Sequence, residues 1–251
     1  MNDFLEQIVA RTRARVANSK RVEPPPCKVP FAFSKALSGP SIHVIAEIKS
    51  ASPTAGTIVA NPDIEQIGAE YARGGAAAIS VVTEPDLFHG SLDWIGRASA
   101  ASRLPVLMKD FVIDERQLLL GVAAGASAVL LLASLLDGAT MRRFIEILDR
   151  YGCDALVEVH DESELARAVE GKGRVIGVNN RNLRDFSVNL CTAEGLSARM
   201  PRGVIKVAES GIKSRQDIDR LRAAGYSAFL VGESLLRQND RAAAVRALVQ
   251  S

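Results

Sequence analysis

Three charged residues stand at the ends of apolar runs: Lys49 closes HVIAEIK, Lys109 follows PVLM, and Glu158 lies near the end of DALVEVH. A charge buried without a partner is costly, so each must be paired, exposed or employed. An ammonium and a carboxylate held on rigid strands suit proton transfer to and from a reacting oxygen. Other apolar runs finish in a similar way, as VVT, VNNR, AESG and VGE. Strand side chains alternate, so residues two apart share a direction. On that count Glu47 goes with Lys49, and Lys109 with Leu107. Glu158 goes with Leu156 and His160, Asn179 with Gly177 and Arg181, and Glu209 with Val207. If those directions are inward, acids and bases from several strands meet at one opening. A ring of structural ion pairs is the bland alternative for the same residues.

The last two runs carry a second signal, AESGIKS and VGESL. A glycine just past a strand lets backbone N–H groups approach an anion, and a helix start adds a positive dipole end. We therefore expect a phosphate among the backbone of Gly211, Gly232 and Glu233, with hydroxyls from Ser210 and Ser52. The Glu233 carboxylate would have to point away. A single glycine here would more often mark only a turn; two on adjacent strands favour the anion.

Something must hold these residues in place. Eight apolar windows recur: 43–49, 77–83, 105–110, 128–134, 154–160, 174–180, 204–210 and 228–233. Helical patterns lie between them, such as IEQIGAEYARG, RQLLLGVAAG, MRRFIEILDRYG, SELARAVEG and IDRLRAAG. Continuous apolar strands alternating with helices imply parallel pairing and crossover connections. Eight such units predict an α/β fold, the (β/α)8 or TIM barrel, with chemistry at the carboxyl ends of the strands. An open doubly wound sheet is the competing architecture, but no GxGxxG follows the first run. Residues 43–251 are read as one barrel that is a single catalytic domain, and 1–42 as a helical extension packing on it. Within the extension FLEQIVARTRARVA has helical spacing, with Phe4, Ile8 and Val9 on an apolar stripe; PPP then breaks it, and FAFSKAL forms a further short helix.

Charge and cysteine content narrow the partners. With 31 basic and 29 acidic residues the net charge is +2, which predicts neither nucleic acid nor an anionic membrane as partner. Cys27, Cys153 and Cys191 have no CxxC spacing, so neither a disulfide framework nor a zinc site is expected and a reducing cytoplasm fits. His43, His89 and His160 lack metal spacing, and no metal or other cofactor is expected. The N-terminal segment interleaves charged and apolar residues, unlike a secretory signal or a membrane span, and its Asp3 and Glu6 argue against a transit leader.

The segments IAEIKSASPTAG, GGAAAISVVTEPDLFHGS, PVLMKDFVID, LVEVHDESEL, IGVNNRNL, ESGI and LVGESLL occur in this order. Together they resemble the indole-3-glycerol-phosphate synthase family of tryptophan biosynthesis. That resemblance implies a carboxy-lyase that closes the ring of 1-(2-carboxyphenylamino)-1-deoxyribulose 5-phosphate with loss of CO2 and water, without a cofactor. It further implies Lys109 as general acid on the ribulose carbonyl and Glu158 as acid/base for the dehydration. Lys49 would hold the substrate carboxylate, Glu47 would orient the lysines, Asn179 and Arg181 would position substrate, and Glu209 would support the ring of charge. Ser52, Ser210, Gly211, Gly232 and Glu233 would bind phosphate, while Phe88, Phe111, Leu130 and Leu183 would line the aryl pocket. Nearby cations would lower the pKa of Lys109 toward working pH. A monomer or weak homodimer acting on a small phosphorylated molecule is expected.

The chain departs from the family pattern at Thr54-Ala55-Gly56, where a loop lysine is frequent, and at Ser127, Asn182 and Asn189, where aspartate is common. The Asn182 change would deprive Arg181 of a supporting partner. Two rival functions fit less well. Phosphoribosylanthranilate isomerase would need a cysteine where Lys49 stands, and a barrel that binds the ligand without turnover would not need Lys49, Lys109 and Glu158 together.

Overall fold

Each of the eight apolar windows contains one strand, in a computed structural model that describes residues 3–250. We number the barrel strands β1 (His43–Ile48), β2 (Ala78–Val82), β3 (Val106–Lys109), β4 (Ala128–Leu132), β5 (Asp154–Val159), β6 (Val175–Asn179), β7 (Ile205–Glu209) and β8 (Ala228–Val231). All pair in parallel, and β8 returns to β1 through Ile45 opposite Leu230, so the sheet closes. Closure removes the open doubly wound alternative.

Helices cover the outside. α3 (Ile64–Gly74), α4 (Asp93–Ser102), α5 (Glu115–Ala123) and α6 (Gly138–Arg150) follow the first four strands. α7 (Glu162–Glu170), α8 (Cys191–Ser197) and α9 (Arg215–Ala223) come next, then the short α10 (Glu233–Leu236) and the final α11 (Arg241–Val249). Asp63, Asp114, Asp137, Asp161, Ser214 and Asp240 each accept a backbone N–H in the first turn of the helix they precede. Such caps are worth about 1 kcal/mol each and set where each loop hands over to its helix.

Side-chain alternation divides the apolar residues into two cores. Outward residues such as Val44, Ile79, Val129, Val157 and Val178 pack against the helices. Inward residues such as Ile45, Leu107, Leu130, Leu156, Val207 and Leu230 fill the barrel. Trp94 packs on the outer core, and Cys153 is buried there just before β5.

Two helices precede the barrel, α1 (Asp3–Ala17) and α2 (Ala32–Ala36), and they attach at opposite ends. α2 drives Phe33 and Leu37, both fully buried, into the inner core beside the strand starts Ala78, Ala128, Val175 and Ala228. Burying two such side chains contributes roughly 3–6 kcal/mol. Asp154 at the start of β5 accepts the Ser34 N–H at 2.9 Å and so fixes this plug. α1 lies at the other end: Ile8 and Val9 are buried as the stripe predicted, but the Phe4 ring leaves the stripe for the mouth of the barrel.

Candidate active site

Above the inner apolar layer, the next inward position on four of the strands is charged. Leu107 is followed by Lys109, Leu156 by Glu158, Val207 by Glu209 and Ile45 by Glu47, so charge replaces hydrocarbon within one strand repeat. The ladder sets Glu47 across from Ser80 and Asn179 across from Glu209. A cavity of about 930 Å³ opens here, at the carboxyl ends of the strands, and all sixteen residues expected from the sequence line it.

Lys109 is the hub. Its Nζ donates to Glu158 Oε2 at 3.1 Å and to Glu209 Oε2 at 3.2 Å, which leaves one of three ammonium donors for the cavity. Lys49 Nζ donates to Glu47 Oε1 at 2.6 Å. Glu158 Oε1 accepts Asn179 Nδ2 at 2.9 Å, and the Asn179 amide oxygen accepts the Arg181 backbone N–H at 3.0 Å. Arg181 then donates its guanidinium to the Phe186 carbonyl at 3.0 Å. Asn182 instead accepts the Arg184 N–H at 2.8 Å, and Arg181 has its partner in the Phe186 carbonyl.

Burial and charge oppose one another at these groups, and the structure reverses one expectation. Burial pulls the Lys109 ammonium down, but Glu158, Glu209 and Glu47 outweigh it and hold the lysine above its ordinary range. No cation lowers it, because the neighbours that strands β5, β7 and β1 deliver are carboxylates. Burial pushes Glu158 up, yet Lys109, then His160 and Asn179, keep it ionised below the usual carboxylate range. Glu209 goes the other way: burial dominates over Lys109 and lifts it to about 7, and its Oε1 is buried without a partner.

His160 sits beside this network. Its Nδ1 lies 3.0 Å from Glu164 Oε2, while Nε2 approaches Glu158 Oε1 to 3.3 Å as an ion pair rather than an aligned hydrogen bond. Burial lowers its pKa, but the two carboxylates prevail and raise it to about 10, so it is an imidazolium at neutral pH.

Gly177 explains how Glu209 reaches the lysine. It is the inward residue of β6 between Val175 and Asn179, and a Cβ there would overlap the Glu209 carboxylate. Gly177→Ala should therefore displace Glu209, lowering kcat about tenfold while the Michaelis constant stays within about twofold, as read by steady-state kinetics. An unchanged kcat would mean that the missing side chain does not set the place of Glu209.

The glycines past β7 and β8 form the far end of the cavity. Ser210 and Gly211 both have left-handed backbone, with φ of 64° and 80°. A serine in that region stores about 1 kcal/mol or more of strain, a cost that recurs at functional loops. Ser234 Oγ donates to the Ile212 carbonyl at 3.2 Å and ties this loop to α10. The Glu233 carboxylate does turn aside, accepting Arg237 Nε at 2.9 Å. The Ser52 hydroxyl is partly engaged in its own turn, where it accepts the Ala55 N–H at 3.1 Å.

An aromatic wall faces the charges. The Phe88 and Phe111 rings stand 6.0 Å apart, and Leu130 and Leu183 border them. Phe4 joins from α1, with ring centroids 6.4 Å from Phe111 and 5.3 Å from Phe186.

Sequence reasoning missed Phe4, Phe186, Lys213 and Arg237 in the lining, and buried Asn180 behind it. Asn180 points outward and donates from Nδ2 to the Glu209 and Ser210 carbonyls at 3.0 and 3.2 Å, which locks the end of β7. The NN doublet was its signal, since the second asparagine must turn to the opposite face and find partners there. Among the described residues no group of three or more His, Cys, Asp or Glu is arranged to hold a metal ion.

Comparison with known proteins shows the family. The family profile described as indole-3-glycerol phosphate synthase matches residues 4–248. The indole-3-glycerol phosphate synthase of Ruminiclostridium cellulolyticum is 41% identical over 250 residues, covering 96% of each chain. That of Koribacter versatilis is 42% identical over 253 residues, covering 99% of this chain and 96% of its own. Thiamine phosphate pyrophosphorylase from Pyrococcus furiosus shares the barrel alone, with a TM-score of 0.61 at 15% identity over 82% of this chain and 93% of its own. With a profile match across nearly the whole length and relatives above 40% identity, the chain belongs to the indole-3-glycerol phosphate synthase family.

Proposed function

We propose that the charged mouth performs this family's carboxy-lyase reaction in tryptophan biosynthesis, with Lys109 as its general acid. The substrate is 1-(2-carboxyphenylamino)-1-deoxyribulose 5-phosphate, and the products are indole-3-glycerol phosphate, CO2 and water. One observation carries the role assignment. Lys109 lines the cavity shared by the aromatic wall and the glycine loops, and its two bonds to Glu158 and Glu209 leave a third ammonium donor for a ligand.

The residues divide the work by position. Phe88, Phe111, Leu130 and Leu183 receive the aryl ring by apolar contact, and Phe4 extends their wall. The backbone of Gly211, Gly232 and Glu233 takes the phosphate, with the Ser210 hydroxyl beside it and Ser52 at the rim. On this reading the ribulose carbonyl lies near Lys109 and the aryl carboxylate near Lys49. Attack by the aromatic carbon builds an alkoxide, which the Lys109 ammonium protonates. Lys49 neutralises the carboxylate until CO2 departs, and Glu47 holds that lysine in line. Glu158, ionised in the resting site, takes a proton in the dehydration and Lys49 aids departure of the hydroxyl. Asn179 and Arg181 fix Glu158 and the adjoining loop, and Glu209 balances Lys109.

The near-neutral charge, the free cysteines and the lack, among the described residues, of any helix long and apolar enough to cross a membrane support a cytoplasmic enzyme of small molecules, monomeric or weakly dimeric, needing no cofactor and binding neither nucleic acid nor membrane. Purified protein given the carboxyphenylamino substrate should generate indole absorbance; binding without that signal would favour a ligand-holding barrel.

The phosphate assignment has its own test. A Cβ at Gly211 would approach Val188 Cγ1 to 2.5 Å, and the positive φ strains any side chain there. Gly211→Val should raise the Michaelis constant at least about tenfold and change kcat by less than about threefold, since phosphate binding is common to ground and transition states. The reverse pattern in steady-state kinetics would remove the phosphate from this loop.

A further inference from the structure

Arg15 lies on α1, outside the cavity, and its guanidinium reaches two acids on different loops. It donates to Asp110 Oδ1 at 3.1 Å and to Glu84 Oε1 at 3.4 Å, and it stands 3.6 Å from Asp86. Both main partners are almost completely buried, and among the described residues Arg15 is the one cation in an ion pair with either. Leaving two buried carboxylates without it would be costly.

Those acids hold the aromatic wall by its backbone. Glu84 Oε2 accepts the N–H of Leu87 at 2.7 Å and of Phe88 at 3.0 Å, and Oε1 accepts that of Asp86 at 3.0 Å. Asp110 Oδ1 accepts the Phe111 N–H at 2.8 Å, and Oδ2 accepts the Thr83 hydroxyl at 2.9 Å. One guanidinium therefore joins the loop after β2, which presents Phe88, to the loop after β3, which presents Phe111. It also pins α1, whose Phe4 ring meets Phe111 edge-on.

We propose that Arg15 is a positioning residue for aryl recognition: by bridging Glu84 and Asp110 it sets the Phe4–Phe88–Phe111 wall without touching substrate. The bridge needs a fork of donors in one plane, which arginine has and lysine lacks. The phosphate loops lie on β7 and β8, across the barrel, and share none of these bonds. Loss of Arg15 should accordingly weaken one end of the ligand and spare the other. This rests on the aryl-phosphate reading of the cavity, and the two failures separate cleanly: wild-type turnover tests that reading, and a ratio of inhibition constants tests Arg15.

The experiment measures competitive inhibition by 2-aminobenzoate and by inorganic phosphate in wild type, Arg15→Ala and Arg15→Lys. For Arg15→Ala we expect the 2-aminobenzoate constant to rise about tenfold, the phosphate constant to stay within about twofold, and the Michaelis constant to rise more than kcat falls. Arg15→Lys, which can meet one acid at a time, should give about a threefold rise in the same direction, and it carries the test should the alanine variant be too unstable to assay. Phe4→Ala alone should mimic the selective loss, and combining it with Arg15→Ala should add less than the product of the two effects. Equal rises for both inhibitors, or no rise for 2-aminobenzoate, would overturn the proposal.

Discussion

Replacing Lys109 with alanine should lower kcat about a thousandfold or more while the inhibition constant of inorganic phosphate changes by less than about twofold. The argument starts from what the ammonium does in the resting protein. It links strands distant in sequence, donating across separations of 49 and 100 residues to Glu158 and Glu209. General acid catalysis contributes about 10²–10⁴ in rate, and an oriented cation beside a developing alkoxide adds electrostatic stabilisation. Both are lost together when the lysine goes. Truncation also leaves Glu158 and Glu209 facing each other without a cation between them. Glu209, already at about 7, would then bind a proton more firmly, because burial would go unopposed by Lys109. The phosphate loops past β7 and β8 keep their backbone donors, so ligand affinity at that end persists. Single-turnover kinetics beside phosphate inhibition check both halves, and a near wild-type rate would remove Lys109 from its role.

The strength with which Lys109 keeps its proton bears on how it can act at all. Three carboxylates favour the ammonium, so the resting lysine is a weak acid and a secure cation. It becomes a better donor when one neighbour loses its charge, and Glu209 is the neighbour poised to do so near neutrality. The pair thus separates two tasks, with Glu158 kept ionised by Lys109 and Glu209 titrating close to working pH. Two buried carboxyl groups on one cation acquire different tendencies because Glu158 also has His160 and Asn179, whereas Glu209 has an oxygen with no partner.

Some of this was readable in the chain and some was not, for identifiable reasons. The eight windows hold the eight strands because a strand buried on both faces must be apolar throughout, and turns and caps bound it. The inward direction of Glu47, Lys109, Glu158 and Glu209 followed from period two once Ile45, Leu107, Leu156 and Val207 were placed inside. The sign of the Lys109 shift was not accessible, since it depends on which charges three other strands bring near. Phe4 was assigned to the stripe with Ile8 because helical spacing cannot distinguish a core from a cavity rim. Arg15 lies in RTRARVA, which reads as a solvated face, and only the folded loops reveal its acids. The plug formed by Phe33 and Leu37 was legible as a short helix in an extension that packs over the barrel or caps one mouth, but the sequence did not say which mouth it closes.

Glu158→Gln should stop the reaction late. Glutamine keeps the shape and can still accept from Asn179, but it neither takes a proton nor balances Lys109 and His160. On the proposed roles, ring closure and loss of CO2 draw on Lys109 and Lys49, which remain, so the first steps should proceed. Dehydration then lacks its base, and overall kcat should fall about a hundredfold or more. In a single turnover, CO2 should be released before indole absorbance appears, and quenched samples should contain a species one water heavier than the product. Lys109→Ala should release neither CO2 nor indole on that timescale, so the two variants divide the pathway at a defined intermediate. If Glu158→Gln accumulates only unreacted substrate, Glu158 acts no later than Lys109, and its place in the dehydration is wrong. The charge change makes that outcome physically distinct from simple misfolding, because phosphate should still inhibit both variants with nearly the wild-type constant.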